Sequence, residues 1–105
     1  MTDERHFNVL RLLADNPDMS QRELASELGV SLGAINHCIK ALIEKGWVKL
    51  ESFQRNPRKL GYLYVLTPKG ITAKARLTAN FLKRKLEEYA ALEREIAVLK
   101  AEVEQ

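Results

Sequence analysis

The sequence predicts a mainly α-helical domain of the α+β class, with one two-stranded hairpin and a long C-terminal helix. Three observations predict it. Up to residue 46 the apolar residues recur at helical spacing and are interrupted by turn residues. From residue 47 the apolar residues alternate as in strands, on both sides of a basic segment that contains Pro and Gly. After Pro68 no proline interrupts the chain, which permits one continuous helix.

The composition predicts one domain with a modest core, because the chain has 105 residues of which 46% are apolar. No apolar run approaches the ~20 residues of a membrane helix, and the N-terminus lacks a signal-peptide core. We therefore expect a cytoplasmic protein with no membrane partner. The single cysteine, Cys38, cannot form an internal disulfide, which fits a reducing compartment.

Three helices are predicted in the first half of the chain. The first runs from about Asp3 to Ala14 and ends at the turn residues 15–18. The second spans Gln21–Leu28 and the third spans Leu32–Lys45. The first has its apolar stripe at three-residue spacing, on Phe7, Leu10 and Leu13.

Capping residues mark the ends of the second and third helices. Ser20 and Ser31 precede them, where a hydroxyl can accept a backbone N–H of the first turn, and Ser20 with Glu23 forms a capping box. Gly29 and Gly46 follow the two helices, where a left-handed residue is favoured. Two capped helices with so short a gap predict a helix-turn-helix, in which the second helix is held out for binding.

The third helix has an apolar face and a polar face. Its apolar residues are Ile35, Cys38, Ile39, Leu42 and Ile43. On the polar face, Asn36 can bind adenine through two hydrogen bonds, and Lys40 can reach guanine or a phosphate. His37 is either a solvent-facing residue or a ligand for a base or phosphate. Ser31 can share its hydroxyl between cap and phosphate, and Gly33 permits close approach. The predicted DNA-binding set also includes Ser20, Gln21 and Arg22 at the start of the second helix.

A hairpin is predicted after Gly46, with strands at Trp47–Phe53 and Tyr62–Leu66 and a loop over Gln54–Gly61. A hairpin with a cationic tip beside a helix-turn-helix is a wing. The cations that we expect to contact DNA from this wing are Arg55, Arg58 and Lys59.

The charges are segregated along the chain. Residues 52–86 contain nine Lys or Arg and no Asp or Glu, whereas residues 1–51 have a net charge of −2 and residues 87–105 a net charge of −4. The acid-free segment is either an ordinary solvated surface or a surface that faces a polyanion, where neutralised phosphates release counterions.

The last helix is predicted to begin after the cap Thr67, with Pro68 in its first position. Its second half repeats apolar residues every seven positions. A helix of ~30 residues spans ~45 Å, too long to lie wholly on a small core, so we expect its end to pair with a second chain, with packing on its own domain as the alternative. The heptad composition favours a parallel pair. The predicted seam consists of Leu82, Tyr89, Leu92, Ile96, Leu99 and Val103.

Motifs of enzymes and metal sites are absent from the sequence. There is no phosphate-binding glycine loop, no G-x-S-x-G and no H-E-x-x-H. His6 and His37 lie in different helices without ligands at metal-binding spacing, and His6 is expected at the surface or half-buried. We therefore expect no catalytic residue, no metal and no cofactor.

The segments VSLGAINHCIKALIEKGWVKL and YLYVLTPKG make the chain resemble the MarR family of bacterial transcriptional regulators, over about Phe7 to Ala75. The Gly-Trp-Val step after the third helix and the Leu-Thr-x-Lys-Gly step after the wing are typical of that family. Its compact length further resembles the small MarR-like regulators associated with exopolysaccharide gene clusters. The resemblance implies a winged helix-turn-helix whose groove-facing positions match Ser31, Gly33, Asn36, His37 and Lys40.

The wing of this chain lacks the Asp-x-Arg order usual in the family, and its first helix starts almost at Met1. Dimerisation is therefore expected to depend mainly on the C-terminal helix. The predicted organisation is a DNA-binding domain at residues 1–75 and a coiled-coil-like dimerisation segment at residues 76–105. The predicted function is sequence-specific binding of double-stranded DNA by a dimeric regulator on a palindromic operator. The alternative is a winged-helix module that binds another protein. The sequence identifies no small-molecule effector.

Overall fold

The computed structural model describes the backbone of residues 2–56 and 59–105 and the side chains of residues 4–52 and 61–105. Within these ranges three helices are followed by a hairpin and a long helix, which confirms the predicted fold class. The elements are α1 (Thr2–Asp15), α2 (Gln21–Leu28), α3 (Leu32–Glu44), β1 (Val48–Asn56), β2 (Lys59–Leu66) and α4 (Pro68–Val103).

The predicted caps of α2 and α3 are confirmed. The Ser20 hydroxyl accepts the backbone N–H of Glu23 at 3.1 Å, and the Glu23 carboxylate accepts the backbone N–H of Ser20 at 3.2 Å. The Ser31 hydroxyl accepts the backbone N–H of Ala34 at 3.1 Å. Gly29 ends α2 in the left-handed region, with a φ of 65°. These local bonds satisfy N–H groups that a helix end leaves without partners.

The core of the first three helices is built from one apolar stripe on each. Each fully buried large side chain contributes about 1.5–3 kcal/mol through the hydrophobic effect. The largest fully buried side chains include Leu10 and Leu13 of α1, Leu24 of α2, Ile35 and Leu42 of α3, and Val48 of β1. Because the stripe of α3 faces this core, its opposite face is left to solvent.

The expectation for His6 is wrong, since its side chain is only 3% exposed. His6 lies edge-on to Trp47, with 6.5 Å between the ring centroids and an angle of 86° between the planes. The physical reason is helical spacing. His6 precedes Leu13 by seven residues, so both side chains lie on the core face of α1. An imidazole fits there because Trp47 supplies an aromatic edge contact.

The hairpin is antiparallel and longer than predicted. Val48 pairs with Leu66 and Ser52 with Tyr62, and pairing continues to Asn56 with Lys59. The register shifts between Gln54 and Asn56. The predicted loop over Gln54–Gly61 is therefore wrong in its bounds, because the backbone hydrogen bonds of the partner strand extend both strands into its polar residues.

The start of α4 is tied to the end of α3 through one threonine. The Thr67 hydroxyl accepts the backbone N–H of Gly70 at 3.0 Å, which confirms the predicted cap, and it donates to the carbonyl oxygen of Gly46. The backbone N–H of Thr67 donates to the carbonyl oxygen of Trp47 at 3.0 Å. Gly46 has a φ of 75°, a conformation that favours glycine.

The chain divides into two compact units, Met1–Ala75 and Arg76–Gln105. The second unit is helical up to Val103. In the described residues, none of the helices has both the length and the apolar character needed to cross a membrane. Among the same residues, no group of three or more His, Cys, Asp or Glu side chains is placed to hold a metal ion.

Candidate nucleic-acid interface

The outward face of α3 is polar and accessible. Gly33, His37 and Lys40 are exposed and Asn36 is partly exposed, whereas the buried residues of the helix are Ile35, Cys38, Ile39 and Leu42. The expectation for Ile43 is wrong, since it is 40% exposed near the C-terminal end of α3, where the apolar stripe runs past the core. The helical spacing of the apolar residues predicts this separation into a buried face and an exposed face. Side chains of this face are of the types that hydrogen-bond to base edges and phosphates in a DNA groove.

Small residues occupy the N-terminal turn of this face. A Cβ added to Gly33 would meet only the Ser31 Oγ, at 4.0 Å, so the surface around Gly33 is open. The Ser31 hydroxyl is exposed and accepts one N–H as a cap, which leaves its own proton to donate. A helix N-terminus with such a surface lets a phosphate approach backbone N–H groups closely.

Two residues of the predicted DNA-binding set are joined by a hydrogen bond. The Asn36 side-chain Nδ2 donates to the Gln21 Oε1 at 3.2 Å. The Gln21 Nε2 in turn donates to the Tyr64 hydroxyl at 3.1 Å. The three residues belong to α3, α2 and β2, so this amide–amide–hydroxyl chain connects the outward face of α3 to the hairpin. All three side chains are partly buried.

The start of α2 supplies two further predicted residues. Arg22 is exposed. Ser20 is also exposed, but its hydroxyl is engaged in the capping box with Glu23. Arg22 therefore offers an exposed cation in the first turn of α2, while Ser20 has a capping role within the described structure.

The wing cations are described only in part. Arg55 lies near the end of β1 and Lys59 begins β2, and the side chains of both lie outside the described residues. Arg58 lies outside the described residues altogether. The sequence predicted both in a loop, whereas the strands extend over them: Lys59 pairs with Asn56, and Arg55 lies at the register shift between Gln54 and Asn56.

A family model for winged helix-turn-helix DNA-binding domains matches residues 2–49, from α1 to the start of β1. The hairpin that follows those helices completes the architecture. The chain carries a winged helix-turn-helix domain.

Curated relatives of the winged helix-turn-helix domain are transcriptional regulators. The HTH-type transcriptional regulator LrpA of Pyrococcus horikoshii is 38% identical over 65 residues, which are 62% of this chain and 46% of LrpA. The HTH-type transcriptional regulator Ptr1 of Methanocaldococcus jannaschii is 37% identical over 62 residues, which are 59% of this chain and 42% of Ptr1. The chain spans less than half the length of either regulator.

Two solved structures have the fold of this chain. A MarR family protein of Mycobacterium tuberculosis, in complex with p-aminosalicylic acid, matches with a TM-score of 0.68 over 96% of this chain and 78% of its own, at 22% identity. FabT of Streptococcus pneumoniae, in complex with DNA, matches with a TM-score of 0.59 over 93% of this chain and 68% of its own, at 25% identity. The winged helix-turn-helix architecture is thus shared with a protein solved on DNA.

The predicted seam residues of the second unit are exposed in the single chain. The exposed fractions of their side chains range from 44% at Ile96 to 85% at Val103. Leu86 and Val98, which the sequence analysis did not place in the seam, are exposed as well, at 59% and 57%. Large apolar side chains repeated along one exposed helix are typical of a surface that binds another chain.

Cys38 lies on the core face of α3 and is only 2% exposed. Burial raises the pKa of its thiol to about 11, although the nearby cations Arg5 and Lys45 act in the opposite direction. A buried, protonated thiol behaves as a small apolar side chain and is a poor redox switch.

Two residues near the interface were missed by the sequence analysis. Tyr64 was considered only as a strand residue, although its hydroxyl is bonded to Gln21 of the predicted DNA-binding set. Leu32 is 41% exposed at the first turn of α3, next to Gly33. An exposed apolar residue at this position is suited to contact a thymine methyl group. The sequence signal that could have identified Leu32 is its position directly after the cap Ser31, in the first turn of α3.

Proposed function

We propose that this protein is a sequence-specific regulator of transcription that binds double-stranded DNA as a homodimer on a palindromic operator. The observation that carries the proposal is the polar, accessible face of α3, which the capped helix-turn-helix holds away from the core. We assign DNA binding to residues 1–75 and dimerisation to residues 76–105. The regulator belongs in the cytoplasm, where bacterial operators lie, and in the MarR family that its sequence resembles and its fold matches.

Base reading is proposed for Asn36 and His37, with Lys40 and Arg22 contacting guanine or phosphate. Ser31 and Gly33 permit the close approach of α3, and Ser20 with Gln21 supports α2 at the groove edge. Phosphate contacts from Arg55, Arg58 and Lys59 complete the interface. The acid-free segment 52–86 supports this proposal, because each Lys or Arg that neutralises a phosphate releases counterions.

Dimerisation is proposed through the C-terminal seam that begins at Leu82. In a parallel pair Glu95 faces Lys100 of the second copy, which is favourable, whereas Glu88 faces Glu93. The Lys85 Nζ lies 3.1 Å from the Glu88 carboxylate in the same helix, which weakens that repulsion. Such exposed ion pairs contribute about 0–1 kcal/mol each, so the apolar seam must supply most of the association.

Two recognition helices related by two-fold symmetry require a palindromic site. We expect its half-sites to lie about one helical turn apart, ~34–36 Å. The resemblance to small regulators of exopolysaccharide clusters makes such gene clusters the first place to search for the operator. A genome-wide footprint of bound sites tests this finer assignment.

The experiment that tests DNA binding is a salt titration with duplex DNA. For a protein with six to ten phosphate contacts, the affinity should fall by about 10³–10⁵-fold between about 50 and 200 mM salt, linearly in log–log form. Absence of binding at low salt, or binding that salt does not weaken, contradicts the proposal and favours a protein-binding module.

A second comparison separates base reading from phosphate binding. His37→Ala should lose about 1–3 kcal/mol on the operator and little on scrambled DNA if His37 contacts a base. Arg58→Ala should weaken both duplexes alike if its contact is to phosphate. Competition binding with the two duplexes measures the difference. Equal losses from both variants on both duplexes would exclude α3 as the reader.

A further inference from the structure

The orientation of Asn36 depends on two residues outside α3. Its Nδ2 donates to the Gln21 Oε1 at 3.2 Å, and the Gln21 Nε2 donates to the Tyr64 hydroxyl at 3.1 Å. In the sequence, Asn36 follows Gln21 by 15 positions and Tyr64 follows Gln21 by 43 positions. Through these two bonds, side chains link the outward face of α3 to the hairpin.

In this hydrogen-bonded chain Asn36 donates to Gln21 and Gln21 donates to Tyr64, which affects what the Asn36 amide presents. A carboxamide has two N–H donors on its nitrogen and one carbonyl acceptor. Because Gln21 accepts from the Nδ2, one N–H is used, and the Asn36 amide alone cannot exchange its nitrogen and oxygen ends without losing the bond unless Gln21 turns with it. One N–H and the Oδ1 of Asn36 are then left for a ligand. Adenine requires that pair, with its N7 accepting and its N6 amine donating.

Tyr64 is well placed to hold the hydrogen-bonded side chains of Gln21 and Asn36 in position. Its backbone N–H donates to the Pro17 carbonyl oxygen at 3.0 Å, which ties β2 to the segment before α2. Its hydroxyl is thus presented to Gln21, the first residue of α2, from a strand anchored beside that helix. Successive hydrogen bonds of one direction polarise each other, so loss of the terminal hydroxyl weakens the bond at Asn36 as well.

We propose that Tyr64 is a positioning residue that acts through Gln21 to orient the Asn36 amide for reading adenine. This inference rests on the proposed function, because it specifies how the same interface selects a base. In this arrangement Gln21 also has a positioning role, and the hairpin contributes to specificity without its tip contacting that base.

The test uses Tyr64→Phe, which removes one oxygen atom and retains the ring. The matched control is Tyr62→Phe, since Tyr62 lies two residues away on the same strand and is 55% exposed. The probes are a duplex selected from a random pool by the wild-type full-length chain and a scrambled duplex of equal length. Fluorescence anisotropy gives the ratio of the two affinities for each variant. Thermal unfolding of each variant confirms that it is folded.

We expect Tyr64→Phe to lower the specific-to-scrambled ratio by about threefold to tenfold, the effect of one net hydrogen bond. Gln21→Ala should lower it in the same direction, and Tyr62→Phe should leave it unchanged. In an Asn36→Ala background, Tyr64→Phe should have almost no further effect, because its action passes through Asn36. Replacing the contacted adenine by 7-deazaadenine should likewise remove the difference between wild type and Tyr64→Phe.

Independent, multiplying losses from Tyr64→Phe and Asn36→Ala overturn the inference. Equal losses from Tyr64→Phe on both duplexes also overturn it, because they indicate a general structural role. In both cases the wild-type protein still selects its duplex, so the proposed function stands. A wild-type protein that binds no duplex at low salt overturns the proposed function, and the inference with it.

Discussion

Gly70→Ala should destabilise the protein, although alanine is the better helix former. Gly70 lies in the first turn of α4, where an added Cβ would stand 1.9 Å from the Trp47 carbonyl oxygen and 2.8 Å from its carbonyl carbon. Real Cβ contacts are not closer than 3.0 Å, so the helix start must move by more than an ångström. The obstacle is backbone, which cannot rotate away as a flexible side chain does.

The cost follows from the bonds that this movement disturbs. Trp47 accepts the N–H of Thr67, Thr67 accepts the N–H of Gly70, and Thr67 donates to Gly46. Three bonds of about 1 kcal/mol each set a loss of about 3 kcal/mol. Alanine returns about 1 kcal/mol of helix propensity. The net loss is about 2 kcal/mol, which lowers Tm by about 8–16 °C for a domain of this size.

Thermal and urea unfolding followed by circular dichroism measure this loss. Gly33→Ala is the matched control, because its Cβ would meet only the Ser31 Oγ at 4.0 Å. The same change in α3 should raise the stability by up to about 1 kcal/mol. A Gly70→Ala protein as stable as the wild type would refute the close approach of α4 to Trp47.

Three further results are expected. Thr67→Ala should lower the free energy of unfolding by about 1–2 kcal/mol in urea unfolding, and Thr67→Ser, which keeps the hydroxyl, should lose much less; similar losses from both would remove the cap from the explanation. Because burial raises the pKa of Cys38 to about 11, the folded state holds this proton where the unfolded chain, with a pKa of ~8.5, has lost it. The contribution of the thiol to stability is therefore complete below about pH 8.5 and declines as the pH rises toward 11. The free energy of unfolding of Cys38→Ala should fall less steeply over that interval than that of the wild type, and parallel curves would contradict the assignment. Truncation after Leu86 should give a folded monomer that binds operator far more weakly, as measured by analytical ultracentrifugation and anisotropy; a truncated protein that remains dimeric would place the interface elsewhere.

The exposed face of α3 was predictable because its signals are local. The buried stripe at Ile35, Cys38 and Leu42 recurs at helical spacing, so the opposite face follows from geometry. The caps at Ser20 and Ser31 join atoms within three residues of each other. Such bonds form between neighbours in sequence, and no other part of the chain is needed to specify them.

The hairpin was predicted to exist, but its bounds were wrong. Its apolar alternation marked the central part of each strand, whereas the pairing of Asn56 with Lys59 joins polar residues that carry no strand signal. Those residues become strand because the opposite backbone offers hydrogen-bond partners. The extent of a strand therefore depends on its neighbour, which periodicity does not describe.

The sequence by itself determined the order of elements, the helix ends and the polar face of α3, because periodicity and caps act over one or two turns. Only the tertiary structure decided that His6 lies buried against Trp47, that Gly70 must approach the Trp47 carbonyl, and that Tyr64 holds Gln21 and Asn36. These contacts join segments that are distant in sequence. Their partners are selected by the packing of helices and hairpin around one core, so neither residue of such a pair carries the information alone.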